Sequence, residues 1–272
     1  MPEKDSVLAS LSIMERFSLG GRVCFLTGAG SGIGRAIAHA LADAGASIAL
    51  VDKDGDTANV VAREIEQRHP GTATLVIQAD VTEKKAVEAA VSQTVAELGD
   101  LTVGFNNAGI GQWVDSVDLT EEDLKTMFDV NVHGVFYGAV AQARHMMKNG
   151  YGKIINTASI SAYIANHPQS QAHYNAAKAA VIGMSKSHAV EWVDQGIRVN
   201  TFSPGYTRTK LVDDLLETEL GQQVYPVWMA ETPMKRMADP TDLQGVAVFL
   251  ASAASDYVTG TDIVVDGGYL AT

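Results

Sequence analysis

The sequence predicts an α/β protein built on a doubly wound parallel sheet of about seven strands, with helices on both faces. Three observations lead there. Short β-rich runs alternate with longer helical patterns along the whole chain, the order expected of βαβ units. The runs are continuously apolar rather than alternating, as in strands covered on both faces. Polar or glycine-containing segments recur directly after the strands, where such sheets bind ligands. The strands are expected at Val23–Thr27, Ser47–Val51, Thr74–Gln78, Leu101–Phe105, Lys153–Thr157, Arg198–Phe202 and Asp262–Val265. The helices are expected at Gly32–Ala44, Thr57–Gln67, Lys84–Glu97, Glu121–Met147, Tyr174–Asp194 and Thr241–Ala253.

Composition narrows the function classes. The 272 residues are 46% hydrophobic and 19% charged, and no linker, repeat or low-complexity tract divides them. One domain over about residues 18–272 is expected, behind an N-terminal extension (residues 1–17) that can hold a short helix. A net charge of −12 argues against nucleic acid or an anionic membrane surface as the main partner. The single cysteine, Cys24, sits in an apolar run and reads as a small buried hydrophobe. No stretch approaches the roughly 18 apolar residues of a membrane span. The first twenty residues lack the apolar core of a signal peptide. A soluble, cytoplasmic protein is the expectation.

The elements in order carry the chemistry. After the first strand, Thr27-Gly28-Ala29-Gly30-Ser31-Gly32-Ile33-Gly34 opens the first helix. Glycines here permit a tight turn and let the backbone approach a pyrophosphate at a helix N-terminus. Such a turn is otherwise an ordinary loop, and its position between strand and helix is what singles it out. The second strand ends at Asp52, eighteen residues past Gly34. A carboxylate at this distance accepts hydrogen bonds from adenosine ribose hydroxyls and repels a 2′-phosphate, favouring NAD over NADP. Asp52 could also be a helix cap, and Lys53 and Arg35 could attract a phosphate. Asp80-Val81 follows the third strand, Asn106-Asn107-Ala108-Gly109 the fourth, Ser159 the fifth and Pro204-Gly205 the sixth. In the helix after the fifth strand, Tyr174 and Lys178 stand four residues apart, on one face and one turn apart. An ammonium beside a phenol lowers the phenol pKa, and a phenol that loses its proton near neutral pH is a usable base. The same spacing is common on solvated helix faces. Residues 207–237 hold Leu211, Leu215, Leu216, Tyr225, Trp228 and Met229 at helical spacing. Asp266-Gly267-Gly268 follows the last strand.

Over about residues 18–272 these motifs resemble the short-chain dehydrogenase/reductase family. The resemblance rests on Thr27-Gly28-x-x-x-Gly32-x-Gly34, Asn106-Asn107-Ala108-Gly109, Asn131, Ser159, Tyr174-x-x-x-Lys178, and Pro204-Gly205 followed by Thr207. It implies a single Rossmann-like domain, a nicotinamide cofactor and a homotetramer, less often a dimer. By the resemblance, Tyr174 is the acid/base and Lys178 depresses its pKa and holds the nicotinamide ribose. Ser159 donates to the substrate oxygen, and Asn131 holds a water linking Lys178 to solvent. Gly28, Ser31, Gly32, Ile33, Gly34, Asp52, Asp80, Val81, Asn107, Ala108, Gly109, Pro204, Gly205 and Thr207 then line the cofactor site with Tyr174 and Lys178. No metal is implied, and the sequence holds no His/Cys cluster with zinc-ligand spacing. Residues 207–237 would form a substrate lid.

Two serines compete for the catalytic place. Ser161 has the commoner family distance to the tyrosine, whereas Ser159 has the right place relative to the strand end, and Ser159 is chosen. The loop that follows, with Tyr174-Asn175-Ala176-Ala177-Lys178 and Ala189-Val190-Glu191-Trp192, resembles the sugar-alcohol branch of the family. A polyol needs its hydroxyls matched by polar side chains. Ser161, Asn166, His167 and Gln112 are candidates, although Asn166-His167-Pro168 reads equally as a turn, and His167 better so. The expected function is NAD-dependent, reversible oxidation of a secondary alcohol, a polyol or sugar alcohol, to its ketone. The alternatives are reduction of another carbonyl substrate, such as a 3-oxoacyl thioester or a steroid, and a non-catalytic NAD(H)-binding sensor.

Overall fold

The computed structural model describes residues 11–272; residues 1–10 of the expected N-terminal extension lie outside them. Its core is one sheet of seven parallel strands. These are β1 (Val23–Thr27), β2 (Ser47–Asp52), β3 (Thr74–Gln78), β4 (Leu101–Asn106), β5 (Gly152–Thr157), β6 (Ile197–Pro204) and β7 (Asp262–Val265). All seven lie where the sequence predicts them, with ends shifted by at most two residues. Their order is β3-β2-β1-β4-β5-β6-β7. The order reverses between β1 and β4, so connections leave these two strands in opposite directions and open a crevice at their carboxyl ends.

Among the described residues ten α-helices surround the sheet: α1 (Ile13–Phe17), α2 (Gly32–Asp43), α3 (Gly55–Arg68), α4 (Lys84–Leu98), α5 (Glu121–Phe128), α6 (Val135–Asn149), α7 (Ala172–Trp192), α8 (Lys210–Leu216), α9 (Glu219–Glu231) and α10 (Gln244–Ala251). Side chains on a strand point alternately to its two faces. On β1, Cys24 and Leu26 pack with Ile37 and Leu41 of α2, Val61 and Ile65 of α3, and Leu250 of α10. Val23 and Phe25 pack the other way, with Val87 and Val91 of α4, Ala139 and Met146 of α6, and Trp192 of α7. Both faces are thus buried, which is why the strands read as continuous apolar runs. Cys24 is a buried free thiol, and burial pushes its pKa up to about 12. No helix among the described residues is long and apolar enough to cross a membrane.

Local sequence sets the helix ends. Ser12 and Glu15 close a capping box on α1, whose Phe17 ring meets Phe249 of α10. Asp54 accepts the Asp56 and Thr57 N–H groups at 3.0 and 3.2 Å to start α3. Gly150, in the left-handed region at φ 65°, ends α6.

Two expected helices need correction. The single helix expected over Glu121–Met147 is interrupted: α5 and α6 are joined by a wider π-helical turn, Asp129–Gly134. The helix expected from Thr241 begins as a tighter 3-10 turn, Pro240–Leu243, because Asp239 and Asp242 form a capping box around Pro240.

Candidate active site

The crevice at the ends of β1 and β4 is a cleft of about 740 Å3. Every cofactor, catalytic and substrate residue expected from the sequence lines it, except His167. The glycine-rich turn forms one wall. A Cβ on Gly34 would stand 1.8 Å from the Gly28 carbonyl oxygen, so only glycine lets α2 start this close to β1. Thr27 joins the walls: its hydroxyl accepts the N–H groups of Asn107 and Ala108 at 3.0 and 3.1 Å. The first intrahelical bond of α2 runs from Arg35 N–H to Ser31, and no cap bond uses the Ser31 side chain. The N–H groups at the start of this helix therefore face the cleft without helical partners, a donor set that fits a phosphate. At the far end of that wall, Asp52 accepts the N–H groups of Gly30 at 2.8 Å and Asp54 at 3.0 Å. The two nearby cations are already engaged. Arg35 makes a two-pronged pair with Glu64 at 2.8 and 2.9 Å, and Lys53 pairs with Asp80 at 2.9 Å.

Ser159, Tyr174 and Lys178 meet at the inner end. Ser159 follows β5, and its Oγ accepts the Ser161 N–H at 3.1 Å. That leaves its hydroxyl hydrogen to donate, and it lies near enough to the Tyr174 phenol to draw that group's pKa down. Ser161 is buried too, but its Oγ accepts from the Gln171 side chain at 3.2 Å. Lys178 is buried and donates to the Thr157 carbonyl at 2.9 Å, with Nζ 5.7 Å from the centre of the Tyr174 ring. Burial pulls the Lys178 pKa down to about 8. Burial also raises the Tyr174 pKa, and the Ser159 hydroxyl only partly opposes this. The expected depression of the phenol by Lys178 is therefore corrected: the Tyr174 pKa is raised, and burial is the leading cause.

Asn131 lies in the π-helical turn and is fully buried. Its Nδ2 donates to the Ile110 carbonyl at 3.0 Å, and its Oδ1 accepts the Ile110 N–H at 3.3 Å. A Cβ on Gly109 would stand 2.7 Å from Asn131 Oδ1 and 3.5 Å from Lys178 Nζ, so the two groups flank one small space.

The substrate side is polar and closely bonded. Gln112 donates to Asp123 at 2.6 Å and accepts from His173 at 3.1 Å. Asn166 donates to the Tyr206 hydroxyl at 3.1 Å. Tyr206 stacks on Trp228 of α9, ring centres 4.0 Å apart. His167 is exposed and pairs with Glu231 at 3.1 Å, outside the cleft. Sequence reasoning missed Gln171 and Tyr206 as cleft residues and placed Trp228 only within the lid segment. A signal existed for Gln171, three residues before Tyr174 and so one helical turn from it.

Comparison with known proteins agrees with this geometry. Residues 28–270 match the family described as Enoyl-(Acyl carrier protein) reductase. Galactitol 2-dehydrogenase of Rhizobium johnstonii is 36% identical over 260 residues, 95% of this chain and 99% of that protein. The probable NADP-dependent mannitol dehydrogenase of Yarrowia lipolytica is 40% identical over 96% of this chain and 91% of its own. The crystal structure of a short-chain type dehydrogenase/reductase from Mycobacterium marinum superimposes with a TM-score of 0.91 at 42% identity, covering 96% of this chain and 100% of that one. With the cleft, its motifs and nearly full-length likeness in agreement, the chain belongs to the short-chain dehydrogenase/reductase family, in its polyol dehydrogenase branch.

Proposed function

We propose that this protein is an NAD-dependent dehydrogenase that interconverts a secondary alcohol of a neutral polyol and its ketone, with Tyr174 as the acid/base. The observation that carries the reading is the meeting of Ser159, Tyr174 and Lys178 at the inner end of a cleft whose outer wall is an open helix N-terminus. Gly28 to Gly34, with Ser31 and Ile33, would hold the pyrophosphate, and Asp52 the adenosine ribose. Asp80 and Val81 would lie along the adenine side. Asn107, Ala108, Gly109, Pro204, Gly205 and Thr207 would enclose the nicotinamide half, with Lys178 on its ribose. The bound nicotinamide supplies or accepts the hydride. In reduction, Tyr174 gives its proton to the substrate oxygen while Ser159 donates a hydrogen bond to the same oxygen, stabilising the charge that develops there. In oxidation the same phenol takes the proton back. Lys178 and Asn131 flank a space suited to a water that returns protons to solvent.

Two features support the choice of ligands. A carboxylate at Asp52 would repel a 2′-phosphate on the adenosine ribose, and the nearby Arg35 and Lys53 are paired with Glu64 and Asp80, which supports NAD. The relative from Yarrowia lipolytica is named NADP-dependent, so this choice is the sharpest test. Around residues 207–237, Arg208, Lys210 and Arg236 pair with Asp213, Asp214 and Asp242, and Lys235 donates to a backbone carbonyl. Three of these four cations are thus already paired with carboxylates, which favours a neutral substrate over a carrier-bound 3-oxoacyl thioester. The names of both curated relatives, galactitol and mannitol dehydrogenase, agree with a polyol. We further infer that the chain assembles as a homotetramer.

The test is a coupled NAD(P)H assay across polyols, ketoses and simple secondary alcohols. NAD should exceed NADP in kcat/KM by at least about tenfold, about 1.4 kcal/mol, and Asp52→Ala should erase the preference. Tyr174→Phe should lower kcat by at least about a hundredfold while NAD still binds. A wild-type preference for NADP would overturn the cofactor assignment, and substantial activity in Tyr174→Phe would overturn the acid/base role.

A further inference from the structure

Gln171 is 8% exposed, caps the start of α7 and lines the cleft one helical turn before Tyr174. Its amide nitrogen lies within hydrogen-bond distance of three oxygens: Ser161 Oγ at 3.2 Å, Asn166 Oδ1 at 3.1 Å and Asn175 Oδ1 at 3.1 Å. The direction of this network is set by a backbone carbonyl. Asn175 Nδ2 donates to the Ile164 carbonyl at 2.9 Å, and a carbonyl can only accept. Asn175 must therefore turn Oδ1 toward Gln171, and Gln171 must answer with its NH2 group. Its Oε1 is forced to the other side. Among the described residues no group donates to that oxygen, and it is not sealed from open space.

Ser161 complements it. The Ser161 hydroxyl accepts from Gln171 and its hydrogen has no acceptor among the described residues, so it remains a donor. Its backbone N–H binds Ser159 Oγ at 3.1 Å, which ties the Ser161–Gln171 pair directly beside the Ser159–Tyr174 pair. One pair meets the reacting oxygen. The other offers one donor and one acceptor a short step away, the complement of a hydroxyl group.

We propose that Gln171 is a specificity-determining residue: its Oε1, with the Ser161 hydroxyl, recognises a hydroxyl on the carbon next to the one that exchanges hydride. A polyol carries such a hydroxyl beside the carbon that is oxidised, and a ketose carries it beside the carbonyl, so this pair selects them over simple secondary alcohols and ketones. A ketone without that hydroxyl leaves the Gln171 Oε1 and the Ser161 donor unmatched in the cleft, and a site built to bond a hydroxyl discriminates strongly against the analogue lacking it. The inference rests on the alcohol–ketone reading above.

The experiment compares acetoin with 2-butanone, which differ by that one hydroxyl, as substrates for NADH-linked reduction by the wild type and by Gln171→Met. The wild type should favour acetoin in kcat/KM by at least about tenfold. In Gln171→Met that ratio should fall at least about tenfold, with the loss mainly in KM for acetoin. NADH binding, followed by fluorescence, reports whether the variant is folded. A ratio that survives the substitution overturns the proposal, because Gln171 would then only brace the loop. If the variant fails to bind NADH, the wild-type ratio decides alone, and equal kcat/KM for the two ketones overturns it. Absence of NAD(P)H-linked turnover on any alcohol or ketone in the wider screen would instead overturn the underlying functional reading.

Discussion

Lys178 is a cation held inside the protein with no anion paired to it among the described residues. It is 4% exposed, its hydrogen-bond acceptor is the neutral Thr157 carbonyl, and burial draws its pKa from 10.5 to about 8. The native state therefore binds this proton less tightly than the unfolded chain does. The cost is fully present below about pH 8 and disappears as pH rises to about 10.5. A shift of that size corresponds to about 3 kcal/mol, and the lost hydrogen bond offsets about 1 kcal/mol of any gain. Lys178→Met is thus expected to be inactive yet more stable at pH 7, by about 2 kcal/mol or roughly 4–8 °C in Tm. Melting curves across pH check the sign: the gain should shrink above pH 8, vanish at about pH 10 and reverse at higher pH, where only the lost hydrogen bond counts. A variant less stable than wild type at pH 7 would show that the site does not store this penalty. The residue types and spacing of Tyr174 and Lys178 were legible in the sequence. Their titration was not, because it depends on how far solvent is excluded from the bottom of the cleft.

At the scale of elements, the strands were the most legible, since burial on both faces leaves an unbroken apolar signature. The interruption between α5 and α6 was invisible, because apolar residues continue on both sides of Asp129–Gly134 and one wider turn barely changes their phase. That turn matters, since it carries Asn131 to the backbone of Ile110 and to the space beside Lys178. Nor did the sequence reveal why α6 carries a mid-helix glycine. Asn106 of β4 bonds Gln142 of α6 at 2.9 and 3.2 Å and Asn156 of β5 at 2.8 Å, and Asn156 bonds Ser185 of α7 at 2.8 Å. This buried polar ladder pulls α6 onto the sheet until a Cβ on Gly138 would stand 2.0 Å from Asn106 Oδ1. Gly138→Ala must displace Asn106 or α6, and should cost up to about 3 kcal/mol, roughly 6–12 °C in Tm. Gly245→Ala in α10 is the control: its Cβ meets nothing within 4 Å, so it should be neutral or stabilising by up to about 1 kcal/mol. Equal melting temperatures for the two variants would mean that the ladder does not set the α6–sheet distance.

For the whole molecule, the reversal of strand order between β1 and β4 turns scattered motifs into one cleft, which is why so much of the site could be read from residues that follow strands. Gln171 and Tyr206 escaped that reading because they belong to no motif; their place follows from how Trp228 of α9 packs on Tyr206 and bonds Gln169 in the loop before α7. Surface composition adds the question of assembly. One apolar patch lies on α6 and α7, where Phe136 is 43% and Val190 80% exposed, around a His188–Trp192 stack with ring centres 4.1 Å apart. A second lies at the β7 edge of the sheet, where among the described residues β7 has one unpaired side, Val264 is part exposed and Tyr257 is fully so. A single self-complementary patch gives a dimer, whereas two independent ones give a closed tetramer. Light scattering on the purified protein should accordingly return about four times the 28.8 kDa of one chain. Phe136→Glu with Val190→Glu removes one patch, leaves the other, and touches no residue of the cleft. It should halve the mass to that of a dimer that still binds NADH. A monomeric wild type would refute the assembly, and a double variant that stays tetrameric would place the interfaces elsewhere.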